Sequence, residues 1–244
     1  IFFFTDKGRV FRKKGYQIPE AGRTARGTNI VNILQVEQGE KVSAMIHTRD
    51  LDNTDLFLTM VTRNGTVKRL PVESLKNIRQ SGIRALTLEE GDELISVLHT
   101  DGKNLVLIAT HDGMGICFDE DDMRPMGRNA AGVRGIKLRD GDYCIGASIA
   151  DMDKNVLSVT ENGYGKKTNV REYRETKRGS KGVKTLKITE KNGKIISFKS
   201  TNDDKDLMII TNNGIVIRLD VSSISLMGRV TQGVKLINLK DNNK

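Results

Sequence analysis

Four segments of this chain set a glycine, a β-branched residue and a base in a row: Gly82-Ile83-Arg84, Gly132-Val133-Arg134, Gly182-Val183-Lys184 and Gly233-Val234-Lys235. Gly27 holds the same slot near the start without the base. The chemistry open to such a segment is phosphate neutralisation, because a glycine lets backbone amides approach an anionic oxygen while the neighbouring cation balances its charge. Further bases crowd around these points. Arg12, Lys13, Lys14, Arg23 and Arg26 lie early in the chain, followed by Lys68, Arg69 and Arg79. Arg128 precedes Arg134, and the densest run holds Lys166, Lys167, Arg171, Lys177, Arg178 and Lys181 ahead of Lys184. Arg218 and Arg229 complete the set before Lys235. All of these are candidate contacts to a polyanion.

Composition points the same way. Lys and Arg number 40 against 31 Asp and Glu, a formal charge of +9, and an excess of that sign favours a polyanionic partner over an acidic or neutral one. The alternative is a soluble surface that happens to be basic, and the distribution of the bases decides between them.

Other chemistries find less support. His47, His99 and His111 have no metal-ligand spacing, and Cys117 and Cys144 sit in apolar stretches without CxxC, which argues against zinc and against a disulfide framework. A reduced, cytoplasmic compartment fits that cysteine usage. The glycine-rich pieces lack the Gly-Lys-Ser/Thr ending of a phosphate-binding loop. The acidic run Asp119 to Asp122 alternates faces if it lies on a strand, so it reads as a solvated loop, not a cation site. Tyr16, Tyr143, Tyr164 and Tyr173 have no recognisable catalytic setting. No cofactor or metal is expected in this stretch, and no apolar run approaches a membrane span.

The elements that must carry the bases announce themselves by repetition. A short apolar run meets a Thr-x-x-Gly turn five times, at Thr5 to Gly8, Thr62 to Gly65, Thr110 to Gly113, Thr160 to Gly163 and Thr211 to Gly214. Asn-Gly or Asp-Gly at four of these turns predicts tight hairpins. A repeat of roughly 50 residues, with a turn signal every 8 to 12, predicts an all-β array of four-stranded blades arranged around an axis. The approximate repeats are 1–53, 54–104, 105–155, 156–205 and 206–244, forming one continuous domain. Stretches such as Val72 to Ile78 and Val221 to Met227 predict at most a turn of helix.

Bases recurring at one place in such a repeat form a stripe along one side of the array. The first, second and fourth repeats carry most of it, whereas the acidic run offsets the bases of the third. A basic stripe on a rigid scaffold suits duplex DNA, bound in a salt-dependent and largely sequence-independent way. Bending a site of 20 to 30 base pairs costs on the order of 1 to 6 kcal/mol, which several phosphate contacts offset. Four Tyr and seven Phe are too few for the stacked platforms of single-strand or RNA binders, so those rings are expected in the core.

The stretch Tyr16-Gln17-Ile18-Pro19-Glu20-Ala21, with Arg23, Ala25-Arg26-Gly27 and Ile30-Val31-Asn32, resembles the C-terminal domain of the A subunit of bacterial DNA gyrase. So do Asn162-Gly163-Tyr164-Gly165-Lys166-Lys167-Thr168, Met126-Gly127-Arg128, Gly132-Val133-Arg134-Gly135-Ile136, and Gly228-Arg229 with Thr231-Gln232-Gly233-Val234. The resemblance runs through the whole chain. It implies a β-pinwheel whose blades exchange strands, and which wraps DNA around its rim so that the rest of the enzyme can introduce negative supercoils. As partners it further implies the N-terminal catalytic part of the same subunit together with the ATPase B subunit, in a heterotetramer. That holoenzyme uses ATP and Mg, and this domain uses neither. The isolated domain is expected to be a non-catalytic monomer in a bacterial cytoplasm.

Two departures shape the expectation. The family has six repeats, the first bearing a Gln-Arg-Arg-Gly-Gly-Lys-Gly box, and neither that box nor a sixth repeat is found here. Lys177-Arg178-Gly179-Ser180-Lys181-Gly182 is its nearest echo. As it stands, the stretch is therefore expected to form an incomplete ring that binds and bends DNA without sustaining supercoiling. The alternatives are the matching domain of the topoisomerase IV A-type subunit, and a protein-interaction propeller with an incidental basic rim.

Overall fold

A computed structural model of the chain describes residues 1–22, 24–49 and 51–239. Its described residues build four four-stranded antiparallel sheets and one two-stranded hairpin, with only short 3-10 turns between them. Val72–Leu75 and Val221–Ser223 are two of those turns, each a single turn as expected.

The Thr-x-x-Gly motif has one geometry throughout. The glycine amide bonds the threonine carbonyl at 3.0 to 3.1 Å in all five copies, and the glycine takes a φ between 74 and 84°. A turn closed this way and followed by a left-handed glycine is the three-residue hairpin loop, in place of the two-residue turn that Asn-Gly suggests. Threonine is needed because its hydroxyl also accepts the amide four residues on: Arg9 to Thr5 at 3.3 Å, Thr66 to Thr62 at 3.1 Å, Met114 to Thr110 at 3.2 Å. All five of these threonines are buried, and a register shift precedes Thr5, Thr62 and Thr160 where the strand bends into the turn.

Each of the first four hairpins gains one edge strand from its own repeat and the other from the next. In the first blade the order is Val42–Ile46, Phe2–Thr5, Arg9–Arg12 and then Ile83–Arg84, which belongs to the second repeat. Val183–Lys184 completes the third blade, and Val234–Lys235 completes the fourth. The second glycine of each repeat starts that donated strand. At Gly132 a Cβ would lie 2.6 Å from the Val67 carbonyl oxygen, and at Gly82 2.8 Å from the Phe11 ring, so no side chain fits there.

Contacts divide the chain into two compact units, residues 1–102 with 123–133, and 103–122 with 134–244. The division follows strand donation, because 123–133 belong by sequence to the third repeat yet pack with the second. In the first unit Phe2 and Phe4 point into a cluster with Leu58, Met60 and Leu70, while Phe3 turns to the opposite face against Phe11 and Leu34. That two-sided burial explains an apolar run without alternation. In the second unit Tyr173 and Phe198 pack edge to face among Leu107, Val156 and Val170. Fully burying one such ring contributes on the order of 1.5–3 kcal/mol. Tyr16, 81% exposed, is an exception to the expectation that the rings lie in the core.

Candidate nucleic-acid interface

The bases that the sequence groups together separate by environment. Lys68 and Lys166 are fully buried. Lys68 Nζ donates to the carbonyls of Ala85, Arg128 and Ala130 at 2.8 to 2.9 Å. Lys166 Nζ donates to Gly228 O at 2.6 Å, Arg229 O at 2.7 Å and Thr231 Oγ1 at 3.1 Å. Lys166 thus spends its three protons on the donated segment of the next repeat, whereas Lys68 spends two there and one on Ala85 of its own repeat. Burial, with Arg128 nearby, brings Lys68 down to about 8; burial also brings Lys166 to about 8, with Glu172 opposing and Arg229 reinforcing the shift.

Arg69 and Lys167, one position further along the same strands, are also buried. The Arg69 guanidinium lies 4.2 Å from the centre of the Phe57 ring, and Lys167 Nζ pairs with Asp203 at 2.6 Å. The expectation that Lys68, Arg69, Lys166 and Lys167 face a polyanion is therefore corrected. Their heads are engaged inside the protein, where leaving such a charge without partners would be costly.

A second group is exposed but committed. Arg171 pairs with Asp153, Lys177 with Asp122 and Arg218 with Asp206. Asp122 also accepts the Arg178 amide at 3.3 Å, while Glu120 is buried and receives the Asn104 amide. The acidic run is accordingly a structural anchor for the fourth repeat, not the solvated loop expected. Arg12 donates to Lys76 O at 2.8 Å, and Lys14 lies over the Tyr16 ring.

The third group has no side-chain partner among the described residues. In the first unit, Arg79, Arg84 and Arg128 line an open groove of about 770 Å³ together with Arg12, Asn77 and Asn129. Lys13 and Arg26 belong to the same unit, Arg26 being exposed. In the second unit Arg134, Lys181, Lys184 and Lys235 are exposed. Arg84, Lys184 and Lys235 stand at matching ends of donated strands, opposite Arg9, Met114 and Tyr164. The half-buried β-branched neighbour turns inward and the base outward, as strand alternation requires. Arg23 lies outside the described residues.

Among the described residues no group of three His, Cys, Asp or Glu side chains is placed to hold a metal. Tyr173 is buried, its hydroxyl accepts a bond from Thr185 Oγ1 at 3.2 Å, and burial pushes it up to about 12. No helix among the described residues is long and apolar enough to cross a membrane.

Four-stranded sheets that each borrow an edge strand from the next repeat define a β-pinwheel, a propeller-like scaffold with Arg84, Arg134, Lys184 and Lys235 on the donated strands. Within that class, the chain belongs to the DNA gyrase C-terminal domain, beta-propeller, family, whose pattern matches residues 1–49, 57–101, 104–151, 154–202 and 205–244. It is 58% identical over 241 residues to the gyrase A protein of Halalkalibacterium halodurans, covering 99% of this chain and 29% of that protein. Identity to the corresponding gyrase A protein is 57% in Streptococcus pyogenes (98% of this chain, 29% of that one) and 47% in Clostridium acetobutylicum (97% and 28%). The chain thus spans under a third of these relatives' length. Among solved structures it is similar to the C-terminal domain of DNA topoisomerase IV, with a TM-score of 0.88 and 27% identity over 97% of this chain and 74% of that one. A DNA gyrase A C-terminal domain shares the fold at TM-score 0.86 and 23% identity, over 99% and 78%.

Proposed function

We propose that this chain binds duplex DNA without sequence preference and bends it, as the C-terminal domain of a gyrase A protein. The observation that carries the reading is the groove that Arg79, Arg84 and Arg128 line, without side-chain partners among the described residues, together with half-buried Gly82. Three uncommitted guanidinium groups around one concave surface suit phosphate oxygens, which arginine binds through paired donors. An incidental basic surface would have its charges neutralised by neighbours, as Arg171 and Arg218 are. In this reading the domain presents DNA to the N-terminal catalytic part of the same polypeptide, and an ATPase partner drives strand passage with ATP and Mg. The domain itself breaks no bond.

Identity of 47 to 58% to gyrase A proteins favours that enzyme over topoisomerase IV, to whose solved domain the chain is 27% identical. The test is binding of unrelated linear duplexes across salt. Affinity falling steeply between 50 and 200 mM salt, alike for all sequences, supports the proposal. Salt-insensitive behaviour would favour a protein partner instead.

A further inference from the structure

Arg178 and Arg229 occupy the same slot, four residues before the second glycine of their repeats, and both reach back to the preceding repeat. Arg178 Nη1 donates to the carbonyl of Arg134 at 3.0 Å, across 44 residues of sequence. Arg229 Nη1 donates to the carbonyl of Lys184 at 2.7 Å, across 45. In both cases the acceptor is the backbone of the residue that carries the exposed base. Each arginine is itself held. Arg178 Nε donates to Asp122 O at 2.9 Å, and the next amide, that of Gly179, bonds Gly135 O at 2.6 Å. Arg229 receives its backbone support from Glu172, whose Oε2 accepts its amide at 3.0 Å, and its guanidinium stands 5.9 Å from the centre of the Tyr173 ring.

We propose that Arg178 and Arg229 are positioning residues: each fixes the backbone beneath the DNA-facing base of the preceding repeat, Arg134 and Lys184 respectively, and acts on DNA through that base. This rests on the DNA-binding reading above. The donated strands are only two residues long and carry two ladder pairs each, Val183–Gly115 and Lys184–Met114 in the third blade, with the Thr185 amide bonding Gly113 O just beyond. A charge-assisted bond onto the carbonyl of the terminal residue stiffens the point from which the long cationic side chain projects. A preset base loses less freedom when it meets a phosphate. Equivalent Arg128 makes no such bond and lies open in the first unit's groove, so the slot serves contact there and bracing in the second unit.

A double-mutant cycle separates bracing from direct contact. The probe is a random-sequence linear duplex, titrated at several salt concentrations with the 244-residue chain and its variants Lys184→Gln, Arg229→Gln and the pair together. Lys184→Gln removes one phosphate contact, lowering the salt slope by about 0.9 and weakening binding by roughly 5- to 10-fold near 0.1 M salt. If Arg229 acts through Lys184, then Arg229→Gln weakens binding in the wild-type background and adds less than about 2-fold once Lys184 is gone. Additive losses, with the slope falling by about 1.8 in the pair, mean that Arg229 contacts phosphate itself and overturn the proposal. An equal loss in both backgrounds at unchanged slope means general destabilisation and overturns it as well. Arg134→Gln and Arg178→Gln provide an independent second cycle should Arg229→Gln fail to fold. A wild-type chain whose binding ignores salt would instead refute the DNA-binding reading beneath both.

Discussion

Lys166 Nζ lies 2.7 Å from the carbonyl oxygen of Arg229, a residue 63 positions later, and so one repeat's buried ammonium holds the backbone of the next repeat's surface arginine. Lys68 does the same for Arg128. The equivalent slots of the first and third repeats hold Phe11 and Ile116, both buried. Donated segments are thus gripped alternately by a cation and by an apolar side chain.

Lys166→Met removes the donor and leaves Arg229 O without it, while Gly228 O keeps the Thr231 hydroxyl at 2.8 Å. Losing a donor inside the fold costs about 1–3 kcal/mol, so urea unfolding is expected to show a loss in that range in Lys166→Met and in Lys68→Met, where Ala85 O is the buried acceptor left behind. Lys137→Met, on an exposed side chain, is expected to stay within about 0.5 kcal/mol of wild type.

The same two lysines set a pH dependence. Both have folded pKa values near 8, below the ordinary 10.5, so between those limits the unfolded chain binds more protons than the folded one. Stability then rises with pH across that window, and below pH 8 the contribution is flat. Buried Tyr173 and Cys117, pushed up to about 12 and about 11, act in the opposite sense at higher pH. The comparison is therefore made against the Lys68→Met, Lys166→Met chain. Melting temperatures from pH 7.5 to 10 should climb more, or fall less, in wild type than in that variant.

The Thr-x-x-Gly turn serves two partners. Gly113 closes its own hairpin through its amide, and its carbonyl accepts the Thr185 amide of the donated segment at 2.7 Å. A Cβ there would lie 2.8 Å from Leu186 O, at a φ of +81°. Gly113→Ala is expected to cost more than 1 kcal/mol, and Thr110→Val, which deletes only a hydroxyl acceptor, about 1 kcal/mol. Gly214→Ala, with open space around its Cβ position, keeps the φ penalty but no clash, and thermal unfolding should rank it milder than Gly113→Ala.

Burial raises the Cys117 thiol to about 11, with Glu175 adding to the shift. At pH 8 its thiolate is scarce and enclosed, so alkylation should be slow in the native chain and fast in urea. Mass spectrometry of the modified peptide over time reads this directly.

Much of the fold was legible because hairpin chemistry is local. Threonine, glycine and an apolar run lie within ten residues, and their repetition identifies the blades. The outward bases were legible too, since Gly-Ile-Arg and its relatives place glycine, inner and outer positions in strand order. Lys68 and Lys166 misled because both faces of their strands are covered, so alternation does not say that a base points outward. The signal that corrects them is alignment: three residues past the turn glycine the repeats read Phe11, Lys68, Ile116, Lys166 and Ile217, a mainly apolar slot. The pairing of Asp122 with Lys177 and Arg178 was not legible, because it depends on strand donation across 55 or 56 residues.

The central claim is that DNA meets the uncommitted arginines of the first unit. Its most direct test is the salt dependence of duplex binding by wild type and by Arg79→Gln, Arg84→Gln, Arg128→Gln together, with folding checked by circular dichroism. Loss of three phosphate contacts should lower the slope of log K against log salt by about 2.7 and weaken binding at every salt concentration. A folded triple variant with the wild-type slope would contradict the account.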